Sequence, residues 1–185
     1  KFKGNITEPV VATLLVKFAK QGEEKQQRDM VQLFLEPSKI ELLAKDSLKN
    51  VSIKGSAGQA DFATLAKQQN TYDNRFQILY DRYDSLQQAG NKEEQKKVEA
   101  AIEELDKEMR EAVYASFIKS HSNSNVALYA LKQYAGWDID PATVEPLFNS
   151  LPASVKSWPS AITLKDRIDI AKKTAIGNYA MDFTQ

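Results

Sequence analysis

Reactive side chains are few in this chain of 185 residues. It has no cysteine, so disulfides, thiolate metal sites and a cysteine nucleophile are excluded within it. His121 is the single histidine, and a conventional zinc site would lack its nitrogen and sulfur ligands. Catalysis could draw only on carboxylates, hydroxyls and lysines. The densest supply is Lys92 to Glu111, where eight acidic residues face five basic ones. Paired carboxylates there could exchange protons, but no apolar surrounding in the sequence would shift their pKa values. Glu93–Lys97, Glu103–Lys107 and Asp106–Arg110 are instead spaced four apart as ion pairs, which reads as a solvated helix face. A hydrolase built on residues such as Glu104 or Asp140 is the chemistry this composition favours least. No Gly-rich phosphate loop, Ser–His–Asp arrangement or EF-hand loop is found. The sequence therefore nominates no catalytic, cofactor-binding or metal-binding residue.

The aromatic side chains could serve recognition. Trp137 and Trp158 read as anchors at helix junctions, although with several tyrosines they could line a ligand cleft between sheet and helices. His121 follows a helical C-terminus, where a cation or a donor to free carbonyls is favoured.

The elements that must position these groups are mostly helical. Phe62, Leu65, Tyr72, Phe76, Leu79, Tyr83 and Leu86 recur at helical spacing, as do Val98, Ile102, Leu105, Met109, Val113 and Phe117. Ala89-Gly90-Asn91 breaks the two stripes, which predicts an antiparallel helical hairpin over residues 57–120, with Ser56 as N-cap of its first helix. Shorter helices are expected over 125–174. One runs from Asn125 to Ala135, with Val126, Leu128, Leu131 and Tyr134 turned to the core and Gly136 as its stop. Another is capped by Asp140 with Pro141 in its first turn and shortened by Pro146. A turn over Ala153–Trp158 follows, and then a last helix capped by Ser160 and closed by Gly177.

Residues 1–55 read as strands. Phe2 to Ile6 alternates weakly, and Val10 to Val16 is apolar enough to be covered on both faces. A polar loop spans Lys20 to Asp29. Met30–Leu35 and Lys39–Leu43 are separated by a tight turn at Glu36-Pro37-Ser38, and Asn50 to Lys54 alternates before Gly55. The expected fold class is α+β: an antiparallel sheet of four or five strands, a partial β-sandwich, then the hairpin and a small helical bundle. An edge left unpaired in so small a sheet would invite self-association, including a homodimer.

Net charge is zero with 25 basic and 25 acidic residues, which gives no general attraction to nucleic acid or an anionic membrane. No apolar run approaches the roughly 18 residues of a membrane span. The chain starts at Lys1 rather than Met, consistent with removal of a precursor segment.

The final residues carry a resemblance. Ile176, Gly177, Ala180, Asp182 and Phe183 fit the "IGxxAPDF" segment that opens thioredoxin-like domains of the thiol–disulfide interchange and alkyl hydroperoxide reductase/thiol-specific antioxidant type, with Met181 where proline is usual. Phe117-Ile118-Lys119, His121-Ser122-Asn123-Ser124, the helix from Leu128 to Tyr134, and Leu147-Phe148 with Leu151 resemble the helical region before that domain in Bacteroidetes-type, TlpA-like thiol:disulfide interchange proteins. Phe2-Lys3-Gly4-Asn5-Ile6 with Glu8-Pro9, and Phe34-Leu35-Glu36-Pro37, resemble the second half of the β-rich domain of unknown function at the N-terminus of those proteins. The resemblance implies a partial β domain at 1–55, a helical domain at 56–174, and at 175–185 the start of a redox domain whose Cys-x-x-Cys would follow Gln185. It implies an exported, periplasm-facing or lipid-anchored protein of the cell envelope. This chain would then be the non-catalytic region that holds the redox domain, dimerises, or presents substrate proteins to it. The alternative from a different class is a stand-alone envelope domain that binds a glycan or a peptide.

Overall fold

The computed structural model describes residues 3–18 and 27–174. Phe2, most of the polar loop expected over 20–29, Gly177 and the whole of 175–185 lie outside the described residues.

Strands β1 (Val10–Phe18) and β2 (Gln27–Leu35) form an antiparallel ribbon with Val10 opposite Leu35 and Leu14 opposite Val31. Alternation along a strand sends side chains to opposite faces, and here both faces carry apolar residues. Val11 and Phe34 point to the helices, where Phe34 stacks on Phe62 with ring centroids 6.2 Å apart. Leu33 lies on the other face and is also buried. Expected cover on both sides of Val10–Val16 is not found along its whole length: Val10 and Leu15 are 37% and 39% exposed.

The expected single sheet of four or five strands is instead two separate pairs among the described residues. β3 (Glu41–Leu43) and β4 (Ser52–Lys54) pair with each other, Glu41 opposite Lys54, around a 3₁₀ turn at Leu48–Asn50. The reason lies at the end of β2. The Phe34 N–H that a neighbouring strand would take donates to Gln59 Oε1 at 2.8 Å, so a helix residue occupies the ladder position. The turn at Glu36–Ser38 therefore does not close a β-hairpin. The second pair is tied to the first by Asp29, whose Oδ2 accepts from the Leu48 N–H at 2.5 Å. No strand forms over residues 3–9, where the expected first strand would lie.

The fold class is α+β, two small antiparallel sheets followed by helices. Helix α1 (Gln59–Gln88) and helix α2 (Lys92–Met109) are the expected hairpin, with Gly90 at φ 69° and the Asn91 side chain accepting from the Glu94 N–H at 3.2 Å. Ser56 is not the cap; its hydroxyl is buried without a partner. Glu36 performs that role from the end of β2, its Oε1 accepting from the N–H groups of Ala57 and Gly58. A carboxylate at that end is favoured by the helix dipole as well as by the free donors.

The second stripe runs as expected from Val98 to Phe117, but through a π turn at Arg110–Ala115 that precedes α3 (Ser116–Ser120). Val113, Tyr114 and Ala115, within this turn, are all buried in succession. Then come α4 (Ala127–Ala135), α5 (Pro141–Asn149), α6 (Ala153–Lys156) and α7 (Pro159–Thr174). Asp140 caps α5 as expected, its Oδ1 accepting from the Ala142 N–H at 2.9 Å. α7 begins at Pro159, two residues earlier than a helix capped by Ser160 would, and the Ser160 N–H is taken by Glu8 Oε2 at 2.9 Å. That contact fastens the start of the chain to its last described helix. The core is mainly helical: Leu65, Ile118, Val126, Leu131 and Ile168 are fully buried, and Phe34 brings the ribbon into the same cluster.

Candidate functional site

The charged face of α2 is solvated. Glu93–Lys97 and Asp106–Arg110 form at 3.9 Å and 2.7 Å, while Glu103 and Lys107 do not pair. Glu104 is exposed, and Asp140 serves α5 as its cap. Glu108 is held by both Arg75 Nη atoms at 2.7 Å, and that hydrogen-bonded cation keeps its carboxyl below the usual range. Glu94 is lowered in the same way by Lys97. Carboxylates lowered by ion pairing stay ionised and are poor proton donors near neutrality.

Tyrosines move the other way. Burial pushes the Tyr114 phenol up to about 12, and burial raises Tyr129 and Tyr134 as well. The Tyr134 hydroxyl donates to Glu111 Oε1. These are groups kept neutral inside a core.

His121 stands at the expected helix junction, but it stacks on Phe117 with centroids 4.6 Å apart, and its Nδ1 lies 2.8 Å from Ser120 Oγ rather than on a free carbonyl. Trp158 packs against the core as a junction anchor. Trp137 does not: it is 95% exposed. Its backbone is nevertheless clamped. Gly136 adopts φ 60° and ψ −150°, a combination open essentially to glycine alone, and an added Cβ would collide with the Arg110 guanidinium. Arg110 Nη1 donates to the Tyr134 carbonyl at 3.3 Å, and Arg167 Nη2 donates to the carbonyls of Gly136 and Trp137 at 3.0 Å. Two guanidiniums thus close the C-terminus of α4, where cations are favoured, and the indole is held outward by a fixed main chain.

Two shallow concavities lie on the described surface, and neither is lined by Trp137 or Trp158. One, about 600 Å³, is framed by Leu43–Ser47 and Asn50 around the 3₁₀ turn. The other, about 530 Å³, runs along the seam of α1 and α2. Its floor is Phe76, Tyr80, Ile102 and Met109, with the rings of Phe76 and Tyr80 stacked at 6.0 Å, and its rim carries Asp73, Glu103 and Asp106. An apolar floor inside a polar rim suits binding rather than bond-making. Sequence spacing placed Phe76, Ile102 and Met109 in the core stripes but not Tyr80, and it did not show that the seam stays open on one side. Among the described residues no group of three or more His, Cys, Asp or Glu is placed to hold a metal ion, and no helix is long and apolar enough to cross a membrane.

Residues 1–62 match the family model described as a domain of unknown function, DUF4369. That segment holds both strand pairs and ends at Phe62, the residue on which Phe34 stacks. No curated protein and no solved structure matches the chain.

Proposed function

We propose that this chain is a non-catalytic, recognition-bearing region of an envelope thiol–disulfide oxidoreductase, presenting substrate proteins to a thioredoxin-like domain that follows it. The observation that carries the reading is a conjunction within one chain. A domain-of-unknown-function match occupies residues 1–62, and the segment Ile176 to Phe183 resembles the opening of a thioredoxin-like domain. The absence of cysteine fits a supporting role, since thiol–disulfide exchange needs a thiolate attacking sulfur. Such a protein would work in an oxidising envelope compartment.

The experiment compares the full-length protein with its thioredoxin-like domain alone. Both should reduce a small-molecule disulfide at similar rates, while removal of residues 1–174 should slow reduction of a protein disulfide. Equal rates on both substrates would reject presentation. A coding sequence without a Cys-x-x-Cys after Gln185 would reject the redox parent outright. A second reading, a peptide-binding envelope domain without a redox partner, is favoured by the open seam of the hairpin.

A further inference from the structure

The hairpin seam is an incomplete core. On α1 the last fully buried residue is Tyr72; Phe76, Leu79, Tyr83 and Leu86 are only half-buried, and Ile78 and Tyr80 are 59% and 48% exposed. Two helices alone cannot enclose an apolar stripe, which in helical proteins is covered by a third or fourth element. Phe76, Tyr80, Ile102 and Met109 are thus left partly open to solvent on that side.

Charge selects among occupants. None of the residues lining the groove is basic, and three are acidic, in a chain whose charges otherwise balance. Asp106 is engaged on one side by Arg110 at 2.7 Å, whereas among the described residues Asp73 and Glu103 form no ion pair. Two copies meeting groove to groove would set these carboxylates against one another, an arrangement that costs binding energy. A cation approaching the exposed Tyr80 ring would gain from both the ring face and the carboxylates.

We infer that the groove between α1 and α2 docks a basic amphipathic polypeptide segment, apolar side chains on the Phe76–Tyr80–Ile102–Met109 floor and Lys or Arg side chains against Asp73 and Glu103. The segment would lie as a helix laid in a groove or as an extended strand with alternate anchors. This deepens the substrate-presentation reading and rests on it for the nature of the ligand, namely unfolded or partly folded polypeptide. Docking here can hold without a Cys-x-x-Cys in the gene, and can fail with one present, so the two readings fall separately.

The test is fluorescence anisotropy of this chain with a labelled peptide carrying leucine at helical spacing and lysine elsewhere, beside a counterpart with glutamate for lysine. The lysine peptide should bind at least about tenfold more tightly, the difference shrinking as salt rises. Tyr80→Ala and the pair Asp73→Asn with Glu103→Gln should each weaken it about tenfold, whereas Asp166→Asn on the exposed face of α7 should leave it unchanged. Tyr80 is half exposed and Asp73 and Glu103 lie on solvated faces, so these variants should fold, which circular dichroism checks. Equal affinity for the two peptides, or equal loss with Asp166→Asn, would overturn the proposal. Light scattering that shows a dimer abolished by Tyr80→Ala would assign the groove to a second copy instead, and would overturn it too.

Discussion

At the scale of single residues, the chain is held by a few acidic side chains that reach far along the sequence. Glu36 accepts from the Ala57 and Gly58 N–H groups at the start of α1, and its other oxygen accepts from Asn125 Nδ2 at 3.3 Å. Three separate segments of the chain thus meet on one carboxylate. Glu36→Ala should cost about 1–2 kcal/mol, the usual loss when a helix N-terminus is uncapped, measurable as a lower urea midpoint with unchanged slope. Tyr114 gives a pH dependence. Its phenol is neutral when protonated, and folding raises its pKa from 10.0 to about 12, so the folded chain holds the proton more tightly than the unfolded one. The stability this contributes is whole below pH 10 and is lost as the pH rises through about 12. Tyr129 and Tyr134 are raised in the same direction and add to the decline. Tyr114→Phe should flatten the fall in stability over that interval, read from urea midpoints at successive pH values; a parallel curve would show that Tyr114 is not the group responsible. None of these roles was legible beforehand. Glu36 and Glu8 look like ordinary surface acids, because a cap supplied from a distant segment leaves no local spacing to find.

At the scale of elements, periodicity decided what was legible. The stripes of α1 and α2, the stop at Gly136 and the Asp140-Pro141 start of α5 follow from local rules of helix pattern and capping, and all are present. Strand partnership is not a local property. Met30–Leu35 and Lys39–Leu43 flank a good turn, yet β2 gives its Phe34 N–H to Gln59 and the turn closes nothing. The π turn was hidden for a related reason: Val113, Tyr114 and Ala115 read as a stripe residue with two neighbours until tertiary packing buries all three. The hairpin itself carries a dynamic consequence. At about 1.5 Å per residue α1 is roughly 45 Å long, and its fully buried residues, Phe62, Leu65 and Tyr72, all lie in the first half. Hydrogen-exchange protection should therefore fall from Tyr72 towards Gly90 and rise again along α2 towards Leu105. Gly90→Ala, forced to φ 69°, should cost about 1 kcal/mol and speed exchange in the arm while leaving protection around Ile118 and Leu131 unchanged. Uniform acceleration would mean that the arm and the body open together.

For the whole molecule, the issue is whether the strands and the helical body are two folding units or one. The composition shift near residue 55 suggests a boundary, and the DUF4369 match ends close by at 62. Packing runs across it. Phe34, 1% exposed, sits in the same cluster as Phe62, Leu65 and Leu131, and Phe62 in turn packs edge-on against Tyr129 at 5.7 Å. Glu8 on the Ser160 N–H closes the molecule from the other side. The ribbon cannot stand alone either, since an isolated two-stranded sheet is marginal in water. Strands and helices should then unfold in one transition, with near-ultraviolet and far-ultraviolet circular dichroism coincident in urea. Phe34→Ala removes the ring that joins them and should lower stability by about 3–5 kcal/mol. If the boundary near residue 55 were a true division, the substitution would leave the far-ultraviolet helical transition where it was. Under the shared-core account that transition moves to lower urea by the full amount, and a helical signal insensitive to Phe34→Ala would disprove the shared core.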